Sequence, residues 1–357
     1  MVLLESFCRL PLIIPSSLLL APIEKPPALL PGEIQGHLFA INDEQTETPI
    51  YHEVPYHIEC APKGSRLPFS EKLFMPSANA HCNLVGRERG SIIFNTHFST
   101  DSRARRVTPP ERQGTAHRHF LIMGDSFVWG HGVQDAETLP AWMQRHLGPH
   151  TRVYNLGFLG YSPNDVLARI QKAGFMEGVS PSQGTAIYLF IPEQFDRARG
   201  TLQTVGHEGS FSSVYSFGNE SLTYQGPYKE VAPLRTRFYE TLAQSRLLQL
   251  LHFNWPPVTE KDYDRFVGLI QEIKKEYLKR FGADNAFYFV FYPQNIHGFD
   301  RFRLRQKLSD AHIDFLDYSG IALEKLDYHP LRIPYDGHPT ARAHKILAEA
   351  LIKDLAR

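Results

Sequence analysis

The chain has 357 residues and balances 38 basic against 38 acidic residues, so its formal net charge at neutral pH is zero. A protein without an overall positive field does not gather phosphates, which excludes general binding to nucleic acids. Hydrophobic residues make up 42% of the chain and charged residues 21%, proportions that support a substantial core and exclude global disorder. The length predicts one large domain with a smaller unit attached to it.

An apolar segment covers residues 1–24. Its longest apolar run, residues 10–23, is too short to span a bilayer and is close in length to the apolar region of a signal peptide. Pro11 and Pro15 would interrupt a helix there. Three interpretations stay open, namely a weak signal peptide, the remnant of a membrane anchor, and a packed N-terminal arm. An exported or cell-envelope location is favoured over a cytoplasmic one, and membrane association is left undecided.

Three cysteines occur in the chain, Cys8, Cys60 and Cys82. They are too few for a disulfide scaffold and do not have the spacing of a zinc site. Cys60 and Cys82 can pair if the protein is exported, and otherwise both are ordinary reduced thiols. No metal site and no cofactor are predicted.

Residues 25–114 predict a small β-rich unit followed by a linker. The segment is rich in proline and has short β-like runs at residues 50–58 and 91–94, separated by turn-forming residues. Residues 100–114 combine two adjacent prolines with several arginines, which is typical of a linker. We interpret its arginines as a solvated loop, and a local basic patch is the alternative. The arginines concerned are Arg103, Arg105 and Arg106.

From residue 115 to residue 357, apolar runs alternate with amphipathic stretches, which predicts a parallel sheet with crossover helices. The run at residues 287–292 is apolar on both faces, as a strand is when helices cover both sides of its sheet. Residues 203–228 are polar and glycine-rich and predict an inserted surface loop near the ligand-binding edge. The predicted strands are residues 119–123, 152–155, 185–191, 286–292 and 313–316. The predicted helices are residues 137–147, 163–176, 260–281, 301–310 and 340–355.

Ser126 belongs to the run Gly124-Asp125-Ser126, which directly follows the first strand of the predicted sheet. It should therefore stand at the carboxyl edge of the strands, where open α/β sheets bind their ligands. A serine nucleophile needs an adjacent base, and that base needs a third group to orient it. The alternative is a serine that only caps the following helix.

The next two strands are also followed by turns with candidate site residues. Gly157 and Gly160 would let backbone N–H groups approach a bound oxygen closely, although ordinary turns that require positive φ are the alternative. Gln194, after the third strand, has a side-chain amide that can point at an oxyanion. Its neighbours Glu193 and Arg197 are interpreted as a structural ion pair.

Asp336-Gly337-His338 precedes the last predicted helix. In an extended segment, residues two apart project to the same side, so the Asp336 carboxylate can reach the His338 ring. One ring nitrogen is then held by the acid while the other can take the proton of a serine. The alternatives are a helix cap for Asp336 and a surface position for His338.

Together, these four blocks resemble the SGNH/GDSL hydrolase family of serine esterases in order and spacing, across roughly residues 117–357. The resemblance implies a three-layer α/β/α fold with a flavodoxin-like parallel sheet. It implies that Ser126 is the nucleophile and, through its own N–H, an oxyanion donor, and that Gly160 is a second donor. It further implies that His338 is the general base and that Asp336 orients it.

Two features depart from the family pattern. The family's amide block usually reads Gly-X-Asn-Asp, whereas this chain has Pro192-Glu193-Gln194-Phe195, which places Gln194 at the asparagine position with the same donor on a longer arm. The acid and the histidine near the C-terminus are separated by one residue fewer than in many members, as also occurs among acyltransferase-like relatives. Residues 130–133 further resemble bacterial members that carry an N-terminal extension.

The resemblance predicts an ester hydrolase that works through an acyl-enzyme on Ser126. Its expected substrate is a small-molecule, carbohydrate or lipid ester, with O-acetyl or another short acyl group. Two alternatives stay open. One is an O-acyltransferase that passes the acyl group to a sugar hydroxyl, and the other is a non-catalytic binding protein on the same scaffold, which the altered amide block favours. No cofactor and no nucleic-acid partner are expected.

Overall fold

A computed structural model describes most of the chain, and the apolar segment at residues 1–24 lies outside the described part. No helix among the described residues is long and apolar enough to cross a membrane. The described ranges are residues 33–34, 55–61, 75–109, 115–207, 211–218, 222–251, 253–294, 299–319 and 331–355.

Strands and helices alternate through most of the described chain. The strands are β1 (Glu33–Ile34), β2 (Tyr56–Ala61), β3 (His81–Glu88), β4 (Ser91–Ser99), β5 (Arg118–Gly124), β6 (Thr151–Gly157), β7 (Gly184–Phe190), β8 (Ser213–Phe217), β9 (Leu222–Pro227), β10 (Ala286–Phe291) and β11 (Asp314–Asp317). The α-helices are α1 (Ser126–Trp129), α2 (Leu139–His146), α3 (Pro163–Lys172), α4 (Glu193–Arg199), α5 (Leu202–His207), α6 (Tyr228–Val231), α7 (Pro233–Ala243), α8 (Arg246–Leu250), α9 (Glu260–Phe281), α10 (Arg301–Asp310) and α11 (Ala341–Leu355).

A six-stranded parallel sheet forms the centre of the fold, in the order β1-β11-β10-β7-β5-β6. When the short β1 is set aside, the five remaining strands follow the 2-1-3-4-5 order of flavodoxin-like sheets. The side chains of β5 alternate between two layers. Leu121 and Met123 pack with α3 and α9 on one face, whereas Phe120 and Ile122 pack with α2 and α11 on the other. The predicted three-layer α/β/α class is confirmed.

The prediction of a surface loop over residues 203–228 is wrong. This segment contains α5, the antiparallel pair β8–β9 and the start of α6. Contacts with distant residues stabilise the hairpin, since the backbone N–H of Ser213 donates to Asp165 Oδ1 at 2.7 Å and the hydroxyl of Tyr215 donates to Gln171 Oε1 at 3.0 Å. Such contacts leave no periodic pattern in the segment itself. The helices α7 and α8, which follow, were also not predicted.

A small antiparallel sheet, β2-β3-β4, lies between β1 and β5 in sequence. Its strands β2 and β4 overlap the predicted runs, while β3 was missed although Cys82 and Leu84 alternate there with polar residues. Cys60 lies directly opposite Cys82, and the two form a disulfide. The apolar face of this sheet packs with residues of β5 and α1 in one continuous core.

The interpretation of the arginine-rich segment as a solvated loop is wrong for two of its three arginines. Arg105 is 6% exposed and Arg106 is 2% exposed. Arg105 Nε lies 2.7 Å from Asp101 Oδ2, and its Nη1 donates to the carbonyl oxygen of Glu177 at 3.1 Å. Only the side chain of Arg103 is about half exposed, at 45%. Burial of a guanidinium requires carbonyl and carboxylate partners, and the sequence pattern does not show them.

Candidate active site

Ser126 stands at the carboxyl end of β5, as the first residue of α1. The N-cap of this helix is Asp125, whose side chain accepts a hydrogen bond from the backbone N–H of Phe127 at 3.1 Å. The interpretation of Ser126 as the cap is therefore wrong, and its hydroxyl can serve another partner. Ser126 is 6% exposed, which keeps the hydroxyl largely out of bulk water.

Ser126, His338 and Asp336 form one hydrogen-bonded chain. The Ser126 Oγ lies 2.8 Å from His338 Nε2, and His338 Nδ1 lies 2.5 Å from Asp336 Oδ1. The His338 side chain is 12% exposed, while the Asp336 side chain is fully buried. With the ring proton on Nδ1, His338 donates to Asp336 and its Nε2 accepts the hydroxyl proton of Ser126. This is the geometry that a serine nucleophile, its base and the orienting acid require.

A tight turn places Asp336 and His338 on the same side of the backbone. Tyr335 and Gly337 adopt positive φ angles of 65° and 84°, and the backbone N–H of Ile333 donates to the carbonyl oxygen of His338 at 2.8 Å. The helix α11 begins only at Ala341, so Asp336 does not cap it. Both alternatives for this segment, a helix cap and a surface histidine, are wrong.

The turn after β6 contains two glycines with different surroundings. A Cβ on Gly157 would lie 2.5 Å from the backbone nitrogen of Trp129 and 2.7 Å from the carbonyl oxygen of Asp125, so only glycine lets β6 approach the serine turn this closely. Gly160 has a φ of +67°, and its Cβ direction meets no atom within 4 Å. Gly157 is therefore the glycine that packs closely against the serine turn, whereas the Cβ direction of Gly160 is open.

Gln194 does not direct its amide towards Ser126, contrary to the prediction from its position. Its side chain is fully buried; Nε2 donates to the carbonyl oxygen of Leu189 at 3.1 Å, and Oε1 accepts from the hydroxyl of Tyr188 at 2.8 Å. A side-chain hydrogen bond also joins Gln194 to Asp125. The amide thus satisfies polar groups beneath the sheet edge, which corrects its assignment as an oxyanion donor.

A buried ion pair lies below the serine turn. Arg197 Nη1 is 2.9 Å from Asp125 Oδ2, and the side chains are 10% and 0% exposed, respectively. Burial raises the pKa of Asp125, and the positive charge of Arg197 opposes that change. Glu193, which we expected to pair with Arg197, also approaches Gln294, with its Oε2 3.5 Å from Gln294 Nε2. The ion pair between Arg197 and Asp125 joins two adjacent strand ends.

His131 is a site residue that the sequence argument did not identify. It lies in the turn after α1, is 1% exposed, and its ring centroid is 4.4 Å from that of His338. The only available signal was its position in Gly130-His131-Gly132, five residues after Ser126. The contact with His338 depends on the C-terminal turn and is invisible in the local sequence.

Within the described ranges, one group of side chains has the spacing of metal ligands, and it consists of His131, Asp336 and His338. One donor atom from each of His131, Asp336 and His338 lies within 4.8 Å of the others. However, Nδ1 of His338 is hydrogen bonded to Asp336 and its Nε2 to Ser126. Both ring nitrogens of His338 are thus already engaged in hydrogen bonds.

No family model and no curated protein matches the chain. Several solved structures are similar to it at low identity. An alpha/beta hydrolase enzyme from the metagenome of Lake Arreo is 16% identical, with 68% of this chain and 97% of that chain covered and a TM-score of 0.38. A member of the lipolytic G-D-S-L family from Veillonella parvula is 11% identical, with 67% and 99% covered and a TM-score of 0.38. An acetylxylan esterase from Geobacillus stearothermophilus is 13% identical, with 68% and 96% covered and a TM-score of 0.37.

Proposed function

We propose that this protein is a serine esterase that works through an acyl-enzyme on Ser126. The observation that carries the proposal is the continuous hydrogen-bonded chain from Ser126 Oγ through His338 to Asp336. A serine hydroxyl is a weak nucleophile by itself, and an imidazole within hydrogen-bonding distance is what activates it. A purely structural serine has no need for such a base.

The proposed reaction has two halves. His338 Nε2 takes the proton of Ser126 Oγ while that oxygen bonds to the ester carbonyl carbon, and Asp336 stabilises the imidazolium that forms. The tetrahedral intermediate collapses when the carbon–oxygen bond to the alcohol breaks and His338 returns its proton to the departing alcohol. Water then attacks the acyl-enzyme in the same way, which releases the acid and restores the serine hydroxyl.

Backbone N–H groups supply the oxyanion hole in this proposal. The N–H of Ser126 is at the first position of α1, where no acceptor exists within the helix. The second donor is the N–H of Gly160, in the turn after β6. Each such donor is worth about 3 kcal/mol of transition-state stabilisation. Gln194 is not part of this set because its amide is engaged with Leu189 and Tyr188.

We infer that the substrate is an ester with a short acyl group on a small molecule or a carbohydrate. Ser126 is 6% exposed and Phe127 beside it is 8% exposed, so little open surface surrounds the nucleophile. The ring centroid of Phe127 lies 5.4 Å from that of His338. The disulfide between Cys60 and Cys82 is typical of an oxidising compartment, in agreement with an exported enzyme.

The test compares the wild type with Ser126→Ala on p-nitrophenyl acetate and on acetylated sugars. We expect kcat to fall by about 10⁶-fold. Ser216→Ala, at an exposed serine of β8, is the control and should keep the wild-type rate. A fluorophosphonate probe should label the wild type and not Ser126→Ala. Equal rates, or no labelling of the folded wild type, would reject the proposal and favour a binding protein.

An acyltransferase would share the first half-reaction, which forms the acyl-enzyme. In its second half-reaction, a sugar hydroxyl would attack the acyl-enzyme in place of water. Product analysis with a carbohydrate acceptor present separates the two outcomes. Free acid as the main product supports the esterase, whereas acylated carbohydrate as the main product supports the acyltransferase.

A further inference from the structure

His131 is a buried polar residue for which the proposed reaction has given no role so far. Its Nε2 lies 4.0 Å from Asp336 Oδ2, the carboxylate oxygen other than the one nearest His338. Both ring nitrogens have no hydrogen-bond partner among the described residues. The imidazole therefore contacts the two groups that activate Ser126 without a hydrogen bond that would explain its presence.

A buried imidazole without partners is costly. An unsatisfied buried polar group costs about 1–3 kcal/mol, and each native example needs an explanation. The surroundings are aromatic, since the rings of Tyr56 and Phe94 lie edge-on at centroid distances of 4.9 Å and 5.1 Å from the ring of His131. A phenylalanine would fill this space without the polar cost. The nitrogens of His131 thus point to a role beyond packing.

A buried arginine contributes several of the hydrogen bonds that hold the turn carrying this imidazole. Arg106 Nη1 donates to the carbonyl oxygens of Trp129 and Gly130 at 2.9 Å and 2.6 Å, and Nη2 donates to that of Val133 at 2.7 Å. Its Nε lies 2.7 Å from Asp135 Oδ1. Because these contacts bracket the turn on both sides, the imidazole is held rigidly against the catalytic pair.

We propose that His131 is a positioning residue that orients Asp336 and His338 for the proton transfer from Ser126. The inference rests on the proposed function. In the tautomer with its proton on Nε2, the neutral ring presents an N–H dipole to Asp336 Oδ2 and leaves Oδ1 for His338. Its ring face, tilted by 36° to that of His338, limits rotation of the base.

The charge state of His131 agrees with this role. Burial, together with the charge of His338, lowers the pKa of His131 to about 3, so that the ring is neutral near pH 7. A neutral ring supports the carboxylate without neutralising it. The other charged and titratable groups that face this pair are Arg106, Asp125 and His344.

The test uses two substitutions at one position. His131→Phe keeps the ring volume and removes both nitrogens, whereas His131→Gln places an amide donor near the position of Nε2. We expect His131→Phe to lower kcat about tenfold with KM unchanged and to shift the pH–rate profile, because the orientation of the base and not substrate binding is altered. His131→Gln should recover most of kcat. His119→Phe, at a buried histidine near the start of β5 and so at the opposite end of that strand from Ser126, is the control for ring replacement in the core.

A second readout does not depend on turnover. The proton between His338 Nδ1 and Asp336 gives a downfield proton NMR signal, which should move and exchange faster with water in His131→Phe than in the wild type. If the wild type neither hydrolyses esters nor labels at Ser126, the esterase proposal fails, and this signal still tests the contact of His131. Should His131→Phe not fold, His131→Leu provides the same comparison. Two results would overturn the role. One is a folded His131→Phe variant with unchanged kcat and an unchanged proton NMR signal. The other is an equal loss of kcat in His131→Phe and His131→Gln.

Discussion

The ends of β5 and β7 lie at the same edge of the sheet, yet their polar residues point in opposite directions. After β5, Asp125 caps the helix and leaves Ser126 to meet His338 at 2.8 Å. After β7, the amide of Gln194 turns into the core and bonds to Leu189 and Tyr188. A position at the carboxyl edge therefore does not determine where a side chain points; its hydrogen-bond partners do.

The two strand ends are nevertheless connected. Asp125 accepts from Phe127, pairs with Arg197 at 2.9 Å and is hydrogen bonded to Gln194. The segment after β7 thus supports the segment that carries Ser126. The following predictions separate the catalytic contribution of the first strand end from the supporting contribution of the second.

Among the substitutions at these two strand ends and their partners, the largest effect is expected for Asp336→Asn, which tests the hydrogen-bonded chain itself. The amide cannot hold His338 in the tautomer with its proton on Nδ1, so kcat should fall by about 10⁴-fold while the protein stays folded. Steady-state hydrolysis of p-nitrophenyl acetate and circular dichroism measure the two quantities. A folded variant that retains more than a tenth of the wild-type kcat would contradict the assignment of the acid.

Arg197→Met tests the link between the strand ends. It leaves the buried carboxylate of Asp125 without its cation, so the free energy of unfolding should fall by about 3–5 kcal/mol. Urea denaturation measures the change. The control is Arg303→Met, which breaks a solvent-exposed pair with Glu260 and should change the free energy of unfolding far less, because water screens an exposed pair. Equal losses in the two variants would show that the Asp125–Arg197 pair is not a buried support.

Gln194→Met tests the supporting role directly. Loss of the amide leaves the Leu189 carbonyl and the Tyr188 hydroxyl without a buried partner, so the free energy of unfolding should fall by about 1–3 kcal/mol. We expect kcat to stay within about threefold of the wild type, because an oxyanion donor would be worth about 100-fold or more. The opposite result, a large loss of kcat at unchanged stability, would return Gln194 to the oxyanion hole.

The smallest effect concerns a buried group without any partner, in contrast to the hydrogen-bonded Gln194. Burial lowers the pKa of His344 from 6.5 to about 3 in the folded protein. Since the unfolded chain binds this proton more readily between those values, His344 adds no proton-linked penalty above pH 6.5, and the fold loses stability as the pH falls below 6.5. The slope is at most about 1.4 kcal/mol per pH unit. Urea denaturation at pH 7 and pH 5 should show a smaller pH dependence for His344→Phe than for the wild type, and an identical dependence would contradict the prediction.

Much of the central fold could be predicted because local patterns report it. The helices at residues 260–281 and 301–310 were predicted with their observed bounds, and the predicted strands differ from β5, β6, β7, β10 and β11 by one or two residues at their ends. Apolar runs and amphipathic periods are properties of contiguous residues. The hairpin β8–β9 lacked such a pattern, because its contacts with Asp165 and Gln171 come from α3.

The candidate site was predictable only in part for the same reason. The approximate positions of Ser126, Asp336 and His338 followed from the ends of strands and from two-residue spacing, and their catalytic roles stay a proposal. The distance of 212 residues between Ser126 and His338 gives no local sign that they meet. Helix capping was the alternative considered for Ser126, whereas the N-cap is Asp125; both residue types favour that position, so the sequence does not separate them.

The sequence by itself determined the alternation of strands and helices, and it placed a serine and an Asp-X-His segment at the same sheet edge. The tertiary structure decided which side chains face the site. It turned Gln194 inward, buried Arg106 against the turn after α1, and set His131 beside His338. The physical reason is that side-chain direction depends on hydrogen-bond and packing partners far apart in the chain, whereas secondary structure depends mainly on near neighbours.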